Sequence, residues 1–183
     1  MAAFIVLLLA ALTRFVPHTL HGVGMNFTAV GGSLLYFGAR RPRWQAAIAA
    51  AVMAITDVIL TTQVYNRPFH VRGYVVTWLW YAAVCLVGSA LLRKVTALRV
   101  AASVFASATG FFLIVDFVLW AGGHFYAHTA AGLMQCYVAA LPFYGNDLVS
   151  TGLTATVLFG LPVAAAKLVE SWQQVQNNNQ PLM

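Results

Sequence analysis

Apolar, uncharged runs alternate with short clusters of charge, proline and glycine along almost the whole chain. The runs cover 1–13, 15–39, 44–56, 73–92, 100–115, 117–146 and 148–166, and several are long enough as helices to cross a hydrocarbon core about 30 Å thick. Breakers divide them into elements. A first span ends at Pro17, and the Gly- and His-containing run 18–26 makes a turn. A second span over 25–39 stops at Arg40, Arg41, Pro42 and Arg43, and a third, alanine-rich one covers 44–61 with a single acid, Asp57. The polar connector 61–73 leads to a fourth span at 74–92, and residues 93–99 separate it from a fifth at 100–120. A short apolar piece at 131–141 is too brief to cross, and Pro142, Gly145, Asn146 and Asp147 are expected to break the chain before a last span at 148–169. The pattern predicts an all-α integral membrane protein with six transmembrane helices in one domain, 1–172, and a disordered polar tail, 173–183.

Composition agrees. Of 183 residues, 61% are apolar and 8% charged, against about 25% charged in a soluble domain, so the solvent for most of the surface is lipid. Disorder, a disulfide-rich secreted fold and a nucleic-acid-binding domain are excluded by the same figures. Cys85 and Cys136 both sit in apolar runs and give no disulfide framework. The first segment lacks a basic stretch ahead of its apolar run, and Arg14 follows it, which reads as a retained span rather than a cleaved leader.

Charge then orients the elements. Arg40, Arg41, Arg43, Arg93, Lys94, Arg99 and Lys167 fall at one end of the six-span arrangement, and Arg14, Arg67 and Arg72 at the other. The positive-inside rule puts both termini in the cytoplasm. His18, His21, His70, His124 and His128 then all lie on the outer face, with Asp57, Asp116 and Asp147 near it. Acids within a bilayer cost roughly 2.5–3.5 kcal/mol on insertion scales and usually face a protein interior or wet cavity. This asymmetry predicts a polar cup open to the outside. Blander readings accompany each element. The histidines also read as interface residues, Asp116 as the neutralising partner of Arg14, and Trp78, Trp80 and Tyr81 as an interfacial aromatic belt. The spacing of His124 and His128 would suit a metal on a helix, but the flanking glycines disfavour one. Ala46 and Ala50, Ala47 and Ala51, and Ala50 and Ala54 form small-xxx-small pairs for close helix packing, as does Gly31-Gly32-Ser33. No phosphate-binding Walker sequence, nucleophile elbow or zinc-protease motif appears.

Pro17-His18 after the first span, then 26–31 (Asn-Phe-Thr-Ala-Val-Gly), Thr56-Asp57 at the third and Pro142-Phe143 before the last occur in an order that resembles the BtuM-type bacterial membrane proteins. These are relatives of the S-components of energy-coupling-factor transporters. The resemblance covers roughly 10–165 and implies an S-component-like six-helix bundle in the bacterial inner membrane, binding cobalamin from outside. It assigns substrate contacts to His18 and Asp57. Where the family offers a cysteine to cobalt, this chain has His70, which is itself a suitable cobalt ligand; Cys85 is the alternative. Thiol-dependent decyanation is then not expected, so the protein is read as a binding and uptake protein rather than an enzyme. Tyr74, Arg67, Arg72, His124 and Tyr126 are expected neighbours of the corrinoid amides and phosphate. Cobalamin enters as substrate, not as resident cofactor. The first span lacks an Ala-x-x-x-Ala docking pair, which favours a solitary protein over one coupled to an energising module. Two alternatives stand beside this reading: a structural subunit of a larger membrane complex, and a membrane metalloenzyme with His18, His70 and His124 or His128 about a metal and Asp57 as base.

Overall fold

The computed structural model describes residues 1–15, 27–123 and 125–178, and among these there are helices and turns but no strand. The helices are α1 (Ala2–Thr13), α2 (Val30–Arg40), α3 (Ala46–Ile59), α4 (Val75–Leu91), α5 (Ala97–Gly122), α6 (Ala130–Ala155) and α7 (Leu161–Asn178). A tight turn, Arg43–Gln45, leads into α3, and a wide π turn, Leu60–Val64, prolongs it. A second π turn, Thr156–Gly160, joins α6 to α7 without a break. Three stretches, Arg43–Val64, Ala97–Gly122 and Ala130–Gln174, are long and apolar enough to cross a membrane, and α1 and α4 are shorter apolar helices. Apolar helices of this length mark a membrane protein.

The helix boundaries have local causes. Arg41 is extended ahead of Pro42, ending α2. Thr96 and Thr129 cap α5 and α6, accepting from the N–H groups of Arg99 and Gly132 at 3.3 and 3.2 Å.

Two expectations fail here. The short piece at 131–141 and the last span at 148–169 are one rod, because the helix runs straight through Pro142 to Gln174 and beyond. Proline removes a donor and costs about 3 kcal/mol in a helix interior, but an apolar solvent offers the freed backbone nothing better, so the helix persists. The polar tail is also helical as far as Asn178. Gln173 and Gln174 are fair helix formers, and a growing helix needs no new nucleus.

Neighbouring helices alternate in direction. Phe4 of α1 meets Phe37 of α2 edge-on at 5.3 Å, while Thr13 at the far end of α1 accepts from the Ala29 N–H at 3.1 Å. α3 and α4 are tied by Thr61 and Tyr74 at 2.7 Å, and α5 and α6 by Tyr137 donating to the Leu113 carbonyl at 2.8 Å. The core gathers Leu7, Leu34, Leu35, Phe37, Met53, Val84 and Phe159. Close approach needs glycine where α2 crosses α4: a Cβ on Gly38 would strike the Cys85 carbonyl, and one on Gly88 the Leu35 carbonyl. The Gly31-Gly32 pair does pack closely, against Thr151 and Thr154 of α6. The α3 alanines divide: Ala46 and Ala49 are buried, while Ala47 and Ala51 are exposed. Beyond Phe159, no described side chain of the α6–α7 rod is buried.

This alternation sets two ends. Arg14, the 65–74 connector and the described residues 125–129 share one; Arg40, Arg41, Arg43, the 92–96 connector and α7 share the other.

Candidate functional site

Arg14 stands just past α1, where the apolar helix has run out and a cation needs partners. It finds them on α3. Its guanidinium donates to the Met53 carbonyl at 3.0 Å, to the Thr56 hydroxyl and to the Asp57 carboxylate, with which it forms an ion pair. The other Asp57 oxygen accepts from the Trp78 indole N–H at 2.9 Å. Asp57 is 4% exposed, so these contacts replace its water. Arg14 also lies 5.9 Å from the Tyr81 ring centroid. The expected pairing with Asp116 does not occur. Asp116 is half-buried on α5, and its backbone carbonyl accepts from the Cys136 thiol.

A cavity of about 90 Å³ opens beside this cluster, lined among others by Arg14, Thr28, Trp80, Tyr81, Ser107 and Asp147. It has room for several waters or one polar arm of a ligand. Trp80 donates to the Ser107 carbonyl at 3.3 Å, and its ring occupies the space a Cβ on Gly110 would need. Asp147, expected to help break the chain ahead of the last span, instead lies within α6, accepting from Thr151 at 3.3 Å. Trp78, Trp80 and Tyr81 are half-buried. Each turns at least one polar or ring contact inward.

The remaining candidates occupy the rim. Tyr74 joins Phe69 and Trp78 in a stack, with ring centroids 4.9 Å apart for Phe69–Tyr74 and 6.2 Å for Tyr74–Trp78. Through Trp78 this stack meets Asp57, so the structure brings Asp57 and Tyr74 together. Arg67, His70 and Arg72 are exposed on the same connector. Tyr126 lies on the other connector, and among the described residues no hydrogen bond, ion pair or ring contact links it to them. His128 there bonds the Gly123 carbonyl at 3.0 Å and meets Trp120 edge-on. Cys85 is 2% exposed in the core under Gly38, far from the rim residues. His18, His21 and His124 lie outside the described residues. Among those described, no three His, Cys, Asp or Glu side chains gather as a metal site would require.

Sequence reasoning missed the Arg14 anchor and the Trp78 donor. A lone arginine between apolar runs signals that some buried acceptor exists; nothing in the spacing identifies Thr56 or Trp78 as its company.

Comparison with curated proteins and with solved structures gives no match. A family model does match, over residues 1–174, and the chain belongs to that family of unknown function, DUF6580.

Proposed function

We propose that the protein is a membrane-embedded binding and uptake protein for an amphipathic solute, cobalamin or a related corrinoid, built on an S-component-like bundle of six membrane helices. The observation carrying this reading is the one-sided cavity lined by Arg14, Asp147, Trp80 and Tyr81, with Asp57 paired to Arg14 beside it and an aromatic rim of Phe69, Tyr74 and Trp78 joined to Asp57 through Trp78. At about 90 Å³ the cavity suits a single amide arm; the macrocycle would rest above it, against the ring stack, with His70 as the cobalt ligand. The basic residues sharing the opposite end support an inner-membrane orientation with cytoplasmic termini and an outward site. The burial of Cys85 supports His70 over the thiol.

The test is the visible spectrum of hydroxocobalamin with detergent-purified protein and a His70→Ala variant. A shift of the corrin bands that the variant loses is the expected outcome. A shift kept by the variant moves the ligand to another histidine, and the absence of binding overturns the corrinoid reading. A second reading, a subunit of a larger membrane complex, is favoured by the exposed apolar side chains Leu161, Leu168 and Trp172 of α7; stoichiometric co-purification of a partner chain would support it.

A further inference from the structure

A concavity much larger than the one at the cluster around Arg14 lies elsewhere among the described residues. It is a groove of about 910 Å³ at the opposite end, between the first half of α5 and the α6–α7 rod. Val100, Val104 and Phe105 line it from α5 and Leu148, Gly152 and Phe159 from the rod, and Thr96 and Lys167 are also among its lining residues. Both walls belong to stretches able to cross a membrane. One wall carries the π turn Thr156–Gly160, which displaces the rod's surface and is a device common at functional sites. Gly152 and Gly160 keep the groove open rather than closing it: a Cβ on Gly152 would meet only Val104 at 3.8 Å, and one on Gly160 only Thr156 at 3.9 Å.

We propose that this groove is a binding site for one anionic phospholipid, its acyl chains between α5 and the rod and its phosphate at Lys167. The occupant follows from the chemistry of the two parts. An apolar trough at membrane depth takes hydrocarbon. Its polar end holds a lysine that makes no ion pair with any described residue, and the adjoining 92–96 connector adds Arg93 and Lys94, with Arg99 in the first turn of α5. The only acid at this end is Glu170, so the local field selects a negative headgroup over a zwitterionic one. The site is independent of the corrinoid reading.

Delipidated protein in mild detergent, titrated with phosphatidylglycerol or phosphatidylethanolamine of identical acyl chains and counted by native mass spectrometry, provides the test. One phosphatidylglycerol per chain should be retained at about fivefold lower concentration than phosphatidylethanolamine. Lys167→Gln, an exposed change that leaves the fold intact, should abolish that preference. The double variant Gly152→Leu, Gly160→Leu should lose both lipids while keeping wild-type helical content and elution volume. Equal retention of the two lipids, a preference unaffected by Lys167→Gln, or tight retention surviving the filled groove would each overturn the proposal in favour of ordinary annular lipid. A dimer that excludes lipid from the groove would overturn it in favour of a second copy.

Discussion

Arg14 and Asp57 lie 43 residues apart and have side chains only 13% and 5% exposed. A charge pair so enclosed is held as much by the penalty for separating it as by attraction. Arg14→Met alone should therefore destabilise the protein by about 3–5 kcal/mol, as should Asp57→Leu, while the double variant should recover much of the loss. Denaturant unfolding in detergent, followed by helical circular dichroism, measures all three. Strict additivity would mean the two side chains are not energetically coupled. The cycle also bears on what was legible in the sequence. Asp57 was identifiable as an exceptional acid from its apolar surroundings. Its partner was not, because pairing across helices depends on how α1 and α3 rotate about their axes, and the candidate Asp116 was equally plausible by depth. Tyr74 reaches the cluster through Trp78, a connection that composition alone cannot express.

At the scale of elements, α2 is the most enclosed helix, with α1, α4 and α6 on its flanks and glycine at its close approaches to α4 and α6. Gly38→Ala and Gly88→Ala press a methyl group into backbone carbonyls that cannot swing aside. Each should cost about 1–3 kcal/mol or more, as overpacking does. Gly145→Ala is the control: a Cβ there meets nothing within 4 Å, so removing glycine from a helix interior should stabilise by roughly 0.8–1.0 kcal/mol. Thermal unfolding of the three variants distinguishes a packing glycine from an incidental one, and equal effects would sink the distinction. Span positions for α3, α4 and α5 were readable from runs of apolar residues, since lipid imposes that pattern directly. The continuity of α6 was not. Proline, glycine, asparagine and aspartate within 142–147 carry break signals calibrated in water, where an opened backbone finds hydrogen-bond partners; hydrocarbon provides none.

Across the whole molecule, the stretch Ala130–Gln174 is 45 residues long, about 67 Å at 1.5 Å per residue, and the hydrocarbon core is only about 30 Å thick. Much of it must stand clear of the membrane. The described side chains beyond Phe159 are exposed, so removing residues 171–183 should change unfolding stability by less than about 0.5 kcal/mol. A larger loss would show that α7 folds back onto the bundle or onto a partner. The rod also has a mechanical consequence. Its middle, 143–155, is clamped to α2 where Gly31 and Gly32 meet Thr151 and Thr154. Above the clamp Pro142 interrupts the hydrogen-bond ladder, and below it the π turn Thr156–Gly160 loosens the winding. One continuous helix thus has a fixed middle with an interrupted turn on either side of it.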